Sequence, residues 1–215
     1  MERNIVINKI KERIYESKKG QLYTLTDFLD LASYDAARKA LSRLVKSADL
    51  IRVLRGVYKV PNYNDFLQEE VPASPDDVAR AIAKERNWTI GPKGDAAMNI
   101  LGLSTQVPAI YEYISDGGYK DIDYNGITIK FSKRSNKNIT GKSYKTILII
   151  EAIRMLGKDG VNAVTRNMIA KKCTQDDFRL LFDDGKSCSR WIFEEIKRIL
   201  EIGGYDNAQV SKEIQ

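Results

Sequence analysis

The sequence predicts an α+β fold, a helical N-terminal module closed by a hairpin and followed by a small antiparallel sheet packed with helices. Three observations predict it. Apolar residues recur at helical spacing three times before residue 50, and two short β-type runs follow around Arg55-Gly56. Asn125-Gly126 separates two alternating runs, the strongest short-range hairpin signal. From Ser143 the periodicity is helical to near Gly204. A chain of 215 residues suffices for two small domains, each with its own core. The expected division is residues 1–66 and 67–215, with the sheet at roughly 86–135 and helices over 141–204.

Residues 4–17 carry Val6, Ile7, Ile10 and Ile14 on one stripe, and Gly20 ends that helix. Gln21 to Thr24 suits a short strand. Thr26 is placed as the cap of a short helix, Asp27 to Ala32, and Ser33 as the cap of a third, Tyr34 to Ala48. Ile51–Leu54 and Val57–Val60 form the hairpin, which Pro61 ends. Further on, Ser74-Pro75 opens a helix and Asp76 and Asp77 complement its dipole. Strands are expected at Trp88–Ile90, Ala109–Ser115, Tyr119–Tyr124 and Ile127–Ser132, with a short helix at Asp95–Leu101. Helices are expected at Ser143–Leu156, stopped by Gly157, at Thr165–Cys173, and at Ser189–Ile202, where Glu194 and Arg198 stand at i,i+4.

Composition narrows the chemistry. With no histidine, Ser-His-Asp and Cys-His catalysis and histidine-ligated metals are excluded. Two cysteines without a C-x-x-C give neither a disulfide framework nor a zinc site, so a reducing cytoplasm is the expected compartment. No apolar run reaches the ~20 residues of a membrane span, and the N-terminus lacks a signal-peptide pattern. No cofactor is expected. The net charge of +6 is unevenly placed. Residues 1–68 hold 13 Lys/Arg against 8 Asp/Glu, and the remainder 22 against 21, which points to an anionic partner for the first third.

On the wheel of the Tyr34–Ala48 helix, Ala37, Ala40, Leu41, Leu44, Val45 and Ala48 share one side. Asp35, Arg38, Lys39, Ser42, Arg43 and Lys46 share the other. An amphipathic helix commonly has a charged outer face, so the stripe alone decides little. Three helices followed by a hairpin bearing Arg52 and Arg55 is, however, the order of a winged helix-turn-helix. There the last helix enters the major groove and the wing lies near phosphates or the minor groove. Cations on both elements suit DNA contacts that release counterions.

The residues from Leu25 to Pro61 also resemble the N-terminal winged helix of AbiEi-type antitoxins. The matching features are Asp27-Phe28 with Asp30-Leu31, Ala40-Leu-Ser-Arg-Leu44, and Arg55-Gly-Val-Tyr58 before the proline. "GDAAMNILGLSTQVPA" and "YISDGGYK…ITIKFSKRSNK" are similar to that family's second domain. The resemblance implies an autorepressor of a type IV toxin–antitoxin, or abortive-infection, operon active in phage defence. It would bind promoter repeats and counteract a nucleotidyltransferase-like toxin, with or without direct contact. It also implies a groove-facing set of Arg38, Lys39, Ser42, Arg43 and Lys46. Arg43 would read a guanine edge or clamp a phosphate, and Tyr34 would reach a phosphate or pack. A homodimer on DNA is suggested by operator symmetry alone. The alternatives are a stand-alone winged-helix regulator with a sensing domain, and a nucleic-acid-processing enzyme targeted by the winged helix.

Other motifs carry less. Lys130, Lys133, Arg134, Lys137, Lys142 and Lys145 form a second basic run, either a further nucleic-acid contact or a solvated strand edge. Gly141-Lys142-Ser143 sits between strand and helix like a P-loop, but Asn136 stands where its first glycine is required. Asp121-x-Asp123 lacks the third carboxylate of a nucleotidyltransferase, and Thr128 stands where a nuclease needs an acid. No catalytic and no metal-binding residues are therefore expected.

Overall fold

A computed structural model of the chain describes residues 2–134 and 139–205, with side chains from residue 5 onward. The fold is α+β, and the chain forms two compact units, residues 1–88 and 89–215. The division lies beyond the expected boundary at 66/67 because the Ser74-capped helix packs on the first sheet.

In the first unit the order is α1 (Glu2–Tyr15), β1 (Leu22–Thr24), a 3-10 turn (Leu25–Phe28), α2 (Tyr34–Lys46), β2 (Ile51–Leu54), β3 (Val57–Lys59), a small pair β4 (Tyr63–Asn64) and β5 (Glu69–Glu70), and α3 (Pro75–Glu85). β1, β3 and β2 form an antiparallel sheet in that order. Ile10, Ile14, Phe28, Leu41, Leu44 and Leu50 are all but fully buried at its centre. The second helical segment is shorter and earlier than the expected Asp27–Ala32, because Thr24, not Thr26, caps it. The Asp27 carboxylate accepts from the Thr24 N–H at 2.7 Å and from its hydroxyl at 2.8 Å. Helix α2 stops at Lys46, where Ser47 caps it, and Ala48 turns the chain with φ of 59°. Glu194 pairs with Lys197, and Arg198 with Glu195, in place of the expected Glu194–Arg198 pair.

Ion pairs brace the first unit. Arg13 donates to Asp30 at 2.6 and 2.9 Å and to the Asp27 carbonyl at 2.6 Å. Lys11 meets Asp49 at 2.8 Å, and Lys84 of α3 donates to Asp27. Burial alone would raise the Asp27 carboxyl. Hydrogen bonds from Lys84 and Thr24 more than offset this and hold it below the ordinary aspartate value.

The second unit begins with β6 (Ile90–Pro92) and α4 (Asp95–Ile100), followed by β7 (Ile110–Ser115), β8 (Lys120–Tyr124) and β9 (Ile127–Lys133). Then come α5 (Tyr144–Gly160), α6 (Ala163–Ala170), α7 (Gln175–Gly185) and α8 (Arg190–Ile202). The sheet order is β6-β7-β9-β8. It differs from an all-antiparallel sheet at one place: β7 and β9 run parallel from Ile110↔Thr128 to Ser115↔Lys133. The Asn125-Gly126 turn, with both φ values positive at 49° and 77°, folds β9 back along β8 and into the space beside β7. Helix α5 buries Thr146 to Ile153 almost all round, and Gly157 breaks it with φ of 68°. Helix α7 was not expected; its sign in the sequence is Thr174-x-x-Asp177, a reciprocal capping box. Ile149, Ile153, Ile169, Phe178, Ile196 and Ile199 make the helical core. Among the described residues no helix is long and apolar enough to cross a membrane.

Candidate nucleic-acid interface

Helix α2 owes its place to Leu41 and Leu44, which are 0% and 1% exposed, and to Ala37 and Ala40 beside them. Burying that face leaves Tyr34, Arg38, Lys39, Ser42, Arg43 and Lys46 exposed on the other. Arg38 turns back to Asp35, 3.3 Å away and equally open to solvent. Arg52 on β2 and Arg55 in the hairpin turn are exposed as well. Helix α2 and the hairpin thus each present exposed cations outward from the core of the first unit.

Pairing separates most of this set from the cations that brace the unit. Among the described residues, Lys39, Arg43, Lys46, Arg52 and Arg55 have no carboxylate within ion-pair distance, whereas Lys11, Arg13, Lys59, Arg80 and Lys84 of the same unit all do. Lys9, Lys18 and Lys19, on α1 and the loop after it, are exposed and unpaired too. A cation without a protein partner keeps its full attraction for a phosphate, while a paired one must first be released.

Two cations of the Tyr34–Pro61 stretch stand outside the unpaired set, Arg38, which meets Asp35, and the buried Lys59. Lys59 is 2% exposed, ion-paired to Glu70 at 2.6 Å and bonded to the Val71 carbonyl. Burial pushes the Glu70 carboxyl up, but hydrogen bonds from Lys59 and the Asn62 N–H outweigh it, and the carboxyl lies below its usual value. Lys59 therefore fastens the β4–β5 pair to the sheet.

Arg43 lies at the edge of the cationic stripe. It lines, with Val6, Ile7, Ser33, Asp35, Ala36, Lys39 and Ala40, a groove of about 520 Å³ between α1 and α2. Ser42 and Lys46 point more directly outward on the wheel. At the hairpin turn Gly56 has φ of 86°, and a Cβ there would come within 2.8 Å of the Glu85 carboxylate. Glycine takes that φ without strain, and Glu85 places an acid beside the turn that the sequence did not announce.

The described members of the second basic run have different surroundings. Lys130 sits in register between Glu112 and Asp121. Arg134 lies 4.0 Å from the buried Glu151, which also binds Arg154. Lys142 donates to the Asp184 carbonyl at 3.0 Å and to Ser187 at 2.6 Å, so the P-loop-like lysine is spent on a loop. Lys133 is exposed. Lys137 and Asn136 lie outside the described residues. Asp121 and Asp123 are exposed on β8, Asp123 accepting from Thr128 at 3.4 Å. Among the described residues no three ligating side chains gather to hold a metal. Burial pushes the Cys173 thiol up to about 11 and raises that of Cys188, which leaves neither as a ready nucleophile at neutral pH.

The model of the DUF6088 family, described as a family of unknown function, matches residues 9–180. The chain belongs to the DUF6088 family. The match spans the cationic helix, the hairpin and the sheet of the second unit, so the DUF6088 pattern takes in both units. No curated protein matches the chain. A similar solved structure is that of the RV2827C protein from Mycobacterium tuberculosis, at 10% identity and a TM-score of 0.39 over 94% of this chain and 76% of that one.

Proposed function

We infer that the chain is a sequence-specific DNA-binding protein that represses its own promoter, with the first unit acting as a winged helix. Within that reading it is the antitoxin of an AbiE-like operon, and its functional partner is a nucleotidyltransferase-like toxin. The carrying observation is the set of five exposed, unpaired cations on α2 and the β2–β3 hairpin, in a unit whose other core-facing and bracing cations are paired. The order α1, β1, 3-10 turn, α2, β2, β3 supports it, since it presents one helix and one hairpin turn from a shared core.

In this arrangement Ser42 and Lys46 face the groove floor most directly. Lys39 and Arg43 flank them on the α1 side, and Arg38 on the other. Arg43, at the stripe edge, suits a phosphate clamp better than a guanine contact. Arg52 and Arg55 hold phosphates beside the wing. The antitoxin assignment rests on the sequence resemblance of Asp27–Leu31, Ala40–Leu44 and Arg55–Tyr58.

Fluorescence anisotropy on the duplex upstream of the gene, beside a scrambled duplex, tests the DNA reading. Tight, sequence-dependent binding lost in an Arg43→Ala, Arg55→Ala variant is expected. Equal, weak binding to both duplexes would leave only a basic surface. Co-expression with a neighbouring nucleotidyltransferase-like gene tests the antitoxin part, with rescued growth the expected result.

A further inference from the structure

We propose that the groove between α1 and α2 is a binding site for a small monoanionic carboxylate with an apolar body, and that its occupation excludes DNA from α2. The exclusion rests on the DNA-binding reading; the site itself does not.

The groove exists because α2 presents small residues where α1 presents larger ones. Ala36 and Ala40 line the groove with Val6 and Ile7, and among the described residues these four make its apolar floor. The resulting space, about 520 Å³, lies within the ~300–1,000 Å³ typical of small-molecule sites. A floor of this kind takes a hydrocarbon chain or ring.

The rim defines the head group. Lys39 and Arg43 stand one helical turn apart on the same wall, both without a carboxylate partner among the described residues. A carboxylate between them gains charge-assisted hydrogen bonds, bidentate from the guanidinium. Asp35, one turn before Lys39, lines the same wall and carries only the solvent-open contact with Arg38. Its charge disfavours a dianion such as a phosphate monoester, and a single negative charge is the better match. Ser33 closes the Asp35 end. Its hydroxyl makes no cap hydrogen bond to α2, so it is available to a polar substituent at the far end of the ligand.

The exclusion follows from shared residues. Lys39 and Arg43 belong both to this rim and to the set assigned to phosphates. A bound carboxylate neutralises them and projects its head group toward the surface DNA would cover.

The test uses the full chain and octanoate as probe, with octanol as its neutral counterpart, followed by amide shifts in two-dimensional NMR. Saturable octanoate shifts centred on Ile7, Ala36, Lys39 and Ala40 are expected, with octanol weaker by roughly ten-fold or more, the worth of one charge-assisted contact. Ala36→Met, which fills the floor from a half-exposed position, is expected to abolish those shifts while leaving DNA affinity unchanged. In anisotropy, octanoate is expected to weaken DNA binding by the wild type and not by Ala36→Met. No saturable shift, or shifts that persist in Ala36→Met, would overturn the site. Octanoate filling the groove without weakening DNA binding would overturn the exclusion. Groove shifts in a protein that binds no duplex would overturn the DNA reading and leave the site standing.

Discussion

Removing the two arginines of the hairpin should lower the salt dependence of DNA binding by a fixed fraction. Five cations on α2 and the hairpin are exposed and unpaired, and two of them are Arg52 and Arg55. If each neutralises one phosphate, log affinity falls with log salt at a slope of about −4.5 per protomer, and an Arg52→Gln, Arg55→Gln variant at about −2.7. Between about 50 and 200 mM salt that means roughly 500-fold loss of affinity for the wild type and roughly 40-fold for the variant. The slope ratio, about 0.6, is the same whether one or two protomers occupy the duplex. Anisotropy titrations at four or five salt concentrations measure both slopes. A Lys18→Gln, Lys19→Gln variant is the control, because it removes the same net charge from a different place. The register Leu22↔Lys59 sets the loop before β1 at the opposite end of β3 from the hairpin turn. The control should keep the wild-type slope. A hairpin variant with an unchanged slope, beside a control with a reduced one, would show that the phosphates lie elsewhere and refute the assignment.

Three further outcomes test the framework. Glu70→Gln should destabilise the first unit by about 1–2 kcal/mol at pH 7, a figure kept low because Glu70 is one-third exposed. Glu70 has a depressed folded value, so its contribution is complete above the ordinary glutamate value of ~4.3 and is lost as pH falls through the lower folded one. Urea midpoints at neutral and acid pH should accordingly converge for wild type and variant in acid; a gap that stays constant would argue against the pairing. Gly91→Ala should cost about 1–3 kcal/mol by overpacking, since a Cβ at Gly91 would sit 2.0 Å from Cγ2 of Ile147. Adding Ile147→Ala should cost less than the separate effects combined, and strict additivity in denaturant melts would contradict the close approach. Glu195→Ala removes the partner of the largely buried Arg166, now 2.6 Å from it, and of the half-exposed Arg198, now 2.5 Å away. Thermal melts should show a loss of about 1–3 kcal/mol, and no measurable loss would mean the triad contributes little.

Much of the first unit was legible because its information is local. A stripe of Ala37, Ala40, Leu41 and Leu44 at helical spacing can be buried in only one way, and that orientation exposes Arg38, Lys39, Ser42, Arg43 and Lys46. Asn125-Gly126 predicted its turn because few other residue pairs accept two positive φ values. Ser33 and Ser74 marked helix starts, and the Ser74 hydroxyl does accept from the Asp77 N–H at 3.1 Å, whereas Ser33 stands at the cap position without a side-chain hydrogen bond.

What the tertiary structure decided depends on partners distant in the chain. Lys59 looked like one more cation of the basic stretch until Glu70, from a strand pair too short for any periodicity to reveal, came to meet it. Lys142, in a P-loop-like setting whose first glycine is replaced by Asn136, found its partners only in the tertiary structure, the Asp184 carbonyl at the end of α7 and Ser187. The parallel pairing of β7 with β9 is a property of sheet order, which alternation within each strand does not encode. The boundary moved to 88/89 because α3 buries Val78, Ala79, Ile82 and Ala83 within the first unit, with Lys84 reaching Asp27, 57 residues away, at its edge. The groove beside Arg43 belongs to neither helix by itself. Sequence periodicity determined which face of α2 carries charge, and only the packing of α1 against it decided which of those charges border an apolar floor.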